Sequence, residues 1–497
     1  MRSDATAPRA TIAPGRALDY LFGASRLGRR RVRTRLMRIA ADELPGLAHG
    51  RLLRRGSRDI VDGAFIDSRS PRSGGLFVPI IAARDGHTFL AQAIAAGAAA
   101  VLIERGRPVP AGDVTIVEVD DTLAALQQLA MHSRARVHGP VVAITGSNGK
   151  TTTRGMIDAV LAYSLPDVLC TRDNLNNHLG VPLTLLGEPH DPSAMVVELG
   201  MSAPGENDRL AEMVQPTIAV VTSIALEHLE FMGSIEAIAA AEAEPLAHVG
   251  SGGAVIVPSD EPLLAPHLPG FDGPQVITFG PDAHADVRVL SAEQGEWTRA
   301  RLATREAGEF EVELRTFGLH NARNAAAAIA VGLRCGLPLP SMVDALREFE
   351  PVGDRGRMLP IGPHLLVADC YNANPGSVVA ALQSLAALPP GRRKLAVLGD
   401  MLELGPRELE LHEEIGRLCG TLKLDGLVAV GSRSRTLAHA AAKAGIEVHA
   451  TDDIASASEW IATNAGTGAA VLVKGSRGMR LERVVEALRD RWAPPDL

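Results

Sequence analysis

The sequence predicts an α/β protein of three domains, with parallel sheets layered between helices. Three observations carry that reading. Short β-branched runs alternate with alanine-rich helical patterns through most of the chain, the order in which parallel sheets are built. The length, 497 residues, suits three domains of roughly 150 residues each. A strand, a glycine turn and a helix follow one another at residues 141–161, the smallest repeating unit of such a fold.

Taken in order, the strand-forming runs are 114–119, 141–145, 194–198, 218–222, 254–257, 395–398, 426–430 and 470–474. A helical pattern at 122–136 ends at His138-Gly139-Pro140, which sets a domain boundary near 137–140. Pro351-Val352-Gly353-Asp354-Arg355-Gly356-Arg357 interrupts two α/β blocks with glycine and charge, so an interdomain hinge is expected there. The division is then a basic extension over 1–57, a first domain over 58–137, a central domain over 138–352 and a C-terminal domain over 353–497.

Hydrophobic residues make up 46% of the chain, enough for full-sized cores, and 50 basic against 58 acidic residues leave a net charge of −8. That balance gives no general pull toward nucleic acid or anionic membrane and points to small-molecule chemistry. Aromatic content of 3% leaves few stacking platforms for single strands, and no repeat with a solenoid period is visible. Cys170, Cys335, Cys370 and Cys419 show no CxxC spacing, which argues against zinc or a disulfide framework and for a reducing cytosol. The longest weakly polar stretch, 91–103, contains Gln92 and falls short of the ~20 apolar residues of a spanning helix. Arg26, Arg29, Arg30, Arg31, Arg33, Arg35 and Arg38 crowd the start without the apolar core of a secretory signal. A soluble cytoplasmic protein with a solvated, partly helical arm of unknown partner is expected.

Residues 145–153 read Thr-Gly-Ser-Asn-Gly-Lys-Thr-Thr-Thr. Gly146 and Gly149 permit backbone angles that turn successive N–H groups inward at a helix N-terminus, where anionic phosphate oxygens belong. Lys150 is placed to reach β- and γ-phosphates, and the Thr151 hydroxyl to ligate Mg²⁺. The usual first glycine, five residues before Gly149, is Ile144 here, so the loop is a variant. Glu198 ends the strand at 194–198, and Glu227, His228 and Glu230 follow the strand at 218–222. Acids and an imidazole just past parallel strands are metal-ligand candidates.

In order along the chain stand Asn174-Leu175-Asn176-Asn177-His178-Leu179-Gly180-Val181-Pro182, Asp369-Cys370-Tyr371-Asn372-Ala373-Asn374-Pro375-Gly376-Ser377, Leu398-Gly399-Asp400-Met401-Leu402-Glu403-Leu404-Gly405 and Lys474-Gly475-Ser476-Arg477-Gly478-Met479. With the phosphate loop, these segments resemble the Mur ligase family over about residues 60 to 490, in particular its members that add D-alanyl-D-alanine to UDP-N-acetylmuramoyl-tripeptide. The Asp-Asn-Pro-Arg signature of the diaminopimelate-adding members is absent. The resemblance implies an N-terminal UDP-binding α/β domain, a central P-loop ATPase domain and a C-terminal Rossmann-like domain. It implies ATP and two Mg²⁺ as cofactors, and a UDP-sugar peptide and a dipeptide as partners.

By the same resemblance Gly146, Ser147, Asn148, Gly149, Lys150, Thr151 and Thr152 hold phosphate, while Thr151, Glu198 and His228 belong to the two-magnesium site. His320, Asn321 and Asn324 fall on the adenine side, Asp369 near the ribose, and Arg357 is the linker arginine. Ser68 and Arg69 match the segment that holds the uridine diphosphate. Asn174, Asn176 and Asn177 match the part facing the muramoyl-peptide, and Asp400, Lys474, Ser476 and Arg477 the C-terminal surface that closes over the amine. The implied chemistry turns a carboxylate into an acyl phosphate that an amine then attacks, which needs charge neutralisation and positioning, not a protein nucleophile.

Such ligases carry a carbamylated lysine, helping to hold the second magnesium, where this chain has Glu242. Two alternatives follow: Glu242 replaces the carbamate as an oxygen donor, or it is a solvated helix residue and the second ion is weak or lost. Glu227, Ser223 and Pro258 are further departures. Three functional readings stay open: the ligase just described, a paralogue joining another amine and carboxylate in a specialised pathway, and a decayed ligase-like binding or scaffold protein.

Overall fold

The computed structural model describes residues 38–187 and 191–493. Among them the strands form an antiparallel pair and three larger sheets. The first large sheet runs Arg51–Arg54, Thr115–Val119, Ala100–Glu104, Leu76–Phe77, Ala64–Phe65 across its width, parallel except for the first pair.

Residues 38–57, expected as part of a solvated arm, are folded against this sheet. Strand Arg38–Ala40 pairs with Ile60–Asp62, and Ile39, Ala41 and Leu44 are buried. Of the arginines that suggested an arm, Arg38 pairs with Asp62 at 3.3 Å; further along the segment Arg51 pairs with Glu118 at 2.8 Å and Arg55 with Asp42 at 2.7 Å, while Arg54 donates to the Pro110 carbonyl at 2.7 Å. Periodic apolar residues between the charges decide the outcome. The arginines from Arg26 to Arg35 lie outside the described residues.

The central sheet has nine strands in the order Gly308–Leu314, Thr298–Thr304, Val287–Gln294, Gln275–Gly280, Ala254–Pro258, Ile218–Val221, Val141–Thr145, Ala194–Glu198, Val168–Cys170. In that order the first three strands are antiparallel, and from Val287–Gln294 onward all are parallel. Strand Val141–Thr145 is fully buried near the middle. One face is covered by helices Lys150–Ser164 and Asn321–Arg334, the second carrying Ala325, Ala326, Ala327 and Ala328, all fully buried. Alanine suits this place because it favours helix and lets two helices and a sheet approach closely.

The C-terminal sheet runs Arg357–Ile361, His364–Ala368, Ala469–Lys474, Arg393–Gly399, Gly426–Val430, Val448–Thr451, parallel after its first pair. The α/β class read from the sequence is the class observed, and most of the strand runs recur within a residue or two of the expected bounds.

All four cysteines are free thiols. Burial pushes Cys335 up to about 11, and Cys370 and Cys419 up to about 12; Cys170 is also raised, by burial and then by Asp158. At pH 8 a thiol at 11 is thiolate to on the order of 0.1%, and thiolate is the reactive form. Native protein is therefore expected to react slowly with an aromatic disulfide reagent at pH 8, and to yield four thiols on denaturation. Rapid reaction of the folded chain would contradict this burial.

Candidate active site

Strand register sets the site. Val220 lies beside Ile144 and Val221 beside Thr145 on one flank, and Glu198 beside Ile144 on the other. Three neighbouring strands thus end together, and the chain turns off the sheet at Gly146 with φ +118°. A Cβ there would collide with the Thr222 hydroxyl and fall 2.7 Å from the Thr222 backbone nitrogen. Gly149, at φ +84°, opens helix Lys150–Ser164, and no side chain caps that N-terminus. Its unsatisfied N–H groups and the helix dipole therefore face the cavity.

The turn is braced from behind. Ser147 N donates to Ser223 O at 2.8 Å, and the Thr222 hydroxyl donates to Asn148 O at 2.6 Å. Gly146→Ala is expected to cost at least ~1–2 kcal/mol of stability and to weaken ADP binding. Thermal melting and calorimetry check both, and an unaltered melt would contradict the packing.

Charge is concentrated beneath the loop. Lys150 Nζ donates to the Gly146 carbonyl and lies 3.5 Å from Glu227 Oε1 and 3.9 Å from Glu242 Oε1. Burial opposes the ammonium charge, but the carboxylates of Glu227, Glu242 and Glu198 outweigh it and hold its pKa above the ordinary value. Burial is the main cause that pushes Glu227 up to about 8, with Lys150 opposing and Glu242 reinforcing the rise. Glu242 is buried, and its Oε2 accepts from the Thr145 hydroxyl, from Gly146 N at 2.8 Å and from Asn207 Nδ2 at 3.2 Å. Glu198 is held by Arg154 at 3.1 Å, by Asn176 Nδ2 at 2.9 Å and by the Thr151 hydroxyl at 3.2 Å.

The C-terminal sheet supplies the opposite wall. Lys474 Nζ donates to Asp369 Oδ2 at 2.8 Å and to Asn372 O at 3.0 Å. Asn374 Nδ2 reaches Asn148 Oδ1 on the phosphate loop at 2.9 Å, and His228 Nδ1 meets Glu403 Oε2 at 2.6 Å. Arg355 stacks over the Tyr371 ring, 3.7 Å from its centroid. These walls enclose a cavity of about 590 Å³.

Ser147, Asn148, Gly149, Lys150, Thr151, Thr152, Asn176, Glu198, His228, His320, Asn324, Asp369 and Lys474, all named from the sequence, line that cavity together. Others stand elsewhere. Arg357 is exposed on a separate cavity beside Trp297 and Arg315, and Arg355, two residues earlier, points into the site instead. Glu242 is no solvated helix residue. It sits under the loop as an acceptor for protein donors and does not line the cavity. Asn321 donates to Phe317 O at 2.9 Å and receives Asn324 Nδ2 at 2.8 Å, which holds the cavity wall from behind.

Asn177 accepts from Leu179 N and Gly180 N at the start of helix Gly180–Leu185. Asp400 accepts from Ser434 N at 2.7 Å, and the Ser476 hydroxyl accepts from Leu402 N at 3.0 Å. Asn174 is exposed, and Arg477 lies 3.4 Å from Glu482. Ser68 bonds Gln92 at 3.1 Å and Arg69 pairs with Asp67 at 2.7 Å, both outside this cavity. Sequence reasoning missed Arg154, Arg355 and the place of Glu227. Glu242, set directly after Ala239, Ala240 and Ala241 in the helix, was the one signal of an acid on a buried face.

Two family models match the chain: the Mur ligase middle domain over residues 144–332 and the Mur ligase, glutamate ligase domain over residues 356–477. The UDP-N-acetylmuramoyl-tripeptide--D-alanyl-D-alanine ligase of Bacillus subtilis (strain 168) is 37% identical over 436 residues, 86% of this chain and 93% of the relative. That of Escherichia coli (strain K12) is 33% identical, with 92% of this chain and 99% of the relative covered. The crystal structure of MurF from Acinetobacter baumannii superposes with a TM-score of 0.82 at 32% identity, covering 92% of this chain and 99% of that one. MurF from Thermotoga maritima in complex with ADP gives 0.77 at 28% identity, covering 86% and 97%. Identity at this level across nearly the whole length, with a shared fold around the phosphate loop, makes the chain a member of the Mur ligase family.

Proposed function

We propose that the protein is an ATP-dependent amide ligase that joins D-alanyl-D-alanine to the terminal carboxylate of UDP-N-acetylmuramoyl-tripeptide. The observation that carries this is the single cavity in which the uncapped helix start with Lys150 faces Lys474, Asp369 and Arg355 of the C-terminal sheet. A nucleotide bound by the loop then presents its terminal phosphoryl to the other wall. The sheet at 51–119 would hold the uridine diphosphate, with Ser68 and Arg69 at its edge. The relatives whose names carry this activity match over most of their length.

In this reading a carboxylate oxygen of the tripeptide attacks the γ-phosphorus, and the bond from that phosphorus to the β,γ-bridging oxygen breaks, releasing ADP. The dipeptide nitrogen then attacks the acyl carbon, the C–O bond to phosphate breaks, and phosphate leaves as the nitrogen loses a proton. Lys150 and the helix N–H groups offset charge on the transferring group. Lys474 and Arg355 sit where they steady anionic oxygens on the far side. Contacts between the domains, Asn148 with Asn374 and His228 with Glu403, keep water from an intermediate that otherwise hydrolyses.

The residues present fit magnesium. Thr151 and Glu198 offer neighbouring oxygen donors, with His228 at the rim, and Glu227 Oε1 is buried without a hydrogen-bond partner. Among the described residues no three His, Cys, Asp or Glu side chains converge, which suits an ion that keeps waters and phosphate oxygens in its shell. When bound, magnesium neutralises phosphate charge. In this reading the nucleotide-linked substrate is met in the cytoplasm. Among the described residues no helix is long and apolar enough to cross a membrane.

Phosphate release with Mg-ATP, the UDP-muramoyl-tripeptide and a panel of amines, read out by product mass, tests the proposal. Turnover that requires D-alanyl-D-alanine and yields its adduct is expected. Turnover with a different amine alone, or none that depends on an amine, would overturn it.

A further inference from the structure

Glu227 stands out because its Oε1 accepts no hydrogen bond, with Lys150 Nζ 3.5 Å away as its neighbouring cation. It follows strand Ile218–Val221, lines the cavity with Lys150, Thr151 and Glu198, and is only 7% exposed. Yet its Oε1 has no hydrogen-bond partner. Leaving a buried carboxylate oxygen without a donor is costly. The other carboxylates nearby are provided for: Glu198 by Arg154 and Asn176, Glu242 by Gly146 N, Asn207 and the Thr145 hydroxyl.

Charge counting points the same way. With Glu198 matched by Arg154, Lys150 is left to serve both Glu227 and Glu242. That ammonium is parked on the Gly146 carbonyl and must turn outward to meet a terminal phosphate. Once it turns, Glu227 faces incoming phosphate oxygens with no positive neighbour of its own.

We propose that Glu227 is a direct ligand of the divalent cation that enters with the nucleotide, so that this chain places a carboxylate from the Ile218–Val221 loop, and not Glu242, beside Glu198 and Thr151. Glu242 remains the brace that fixes the Gly146 N–H. The inference rests on the nucleotide reading above, and its test separates the two.

Mn²⁺ binding to the full-length protein with saturating ADP is followed by loss of the free Mn²⁺ paramagnetic resonance signal, and ADP binding alone by calorimetry in EDTA. Glu227→Gln keeps the size of the side chain and is expected to weaken Mn²⁺ binding ~10-fold or more while ADP affinity in EDTA changes less than about twofold. Glu227→Asp, which keeps the charge at shorter reach, recovers part of the loss. Mn²⁺ affinity unchanged in Glu227→Gln would overturn this assignment alone, since glutamine mimics a carboxyl that merely stays protonated. A wild-type protein that binds neither ADP nor Mn²⁺ with it would overturn both readings.

Discussion

Lys150→Ala is expected to lower kcat by about 10³-fold or more and, unlike a change at a purely ligand-facing lysine, to destabilise the nucleotide-free protein as well. The lysine side chain is 17% exposed, and the two carboxylates beside it are 8% and 1% exposed. Removing the ammonium that lies between them strands buried negative charge, a loss of about 3 kcal/mol. A second substitution, Glu242→Gln, then restores part of the melting temperature without restoring turnover. Calorimetric melts and initial rates of the two variants read the effects separately. A single variant that is inactive yet as stable as the parent would contradict the charge arrangement.

The second large effect lies one helical turn further on. Arg154 and Glu198 face each other at 3.1 Å with side chains 3% exposed, and Arg154 Nη1 also reaches the Asp173 carbonyl at 3.0 Å. Arg154→Met keeps the stem but leaves Glu198 charged and unpaired, which costs about 3–5 kcal/mol and lowers the melting temperature of the central domain by about 10 °C. Neutralising the partner in Arg154→Met/Glu198→Gln is expected to recover most of that stability, because a removed pair is cheaper than a broken one. Activity stays lost in the double variant, since Glu198 flanks the Thr151 hydroxyl. A melt unchanged by Arg154→Met would show that the pair is not the buried clamp described.

How far the sequence could be read follows from what each element contributes locally. Strands such as Val141–Thr145 and Ala469–Lys474 are buried on both faces, so they appear as unbroken apolar runs. The hairpin strands Thr298–Thr304 and Gly308–Leu314 widen the same sheet but have one face in solvent. Arg299 and Arg301 there pair across to Glu313 and Glu309, and such charge disguises a strand. Strands of two residues, Ala64–Phe65 and Leu76–Phe77, hold too little pattern to be seen at all.

The site divides on the same principle. The phosphate loop is contiguous, and its glycines and lysine announce themselves within nine residues. The brace on it is not: Glu242 reaches Gly146 from helix Ile235–Ala243, and only the packed fold reveals that this acid faces inward. Arg355 and Arg357 both stood in the hinge segment; the start of strand Arg357–Ile361 separates them, sending one into the cavity and the other to the far side. Asp400 and Ser476, matched to the amine-facing surface by resemblance, accept from Ser434 N and Leu402 N in the fold. Position at a strand end marks a candidate; hydrogen-bond satisfaction decides.

The central claim is that this cavity hands a phosphoryl group to a carboxylate before nitrogen arrives. Turnover with tripeptide labelled by ¹⁸O in its terminal carboxylate, followed by mass analysis of the phosphate, tests it most directly. One labelled oxygen appearing in phosphate for each amide formed is the result predicted. Amide formation with phosphate free of label would contradict it.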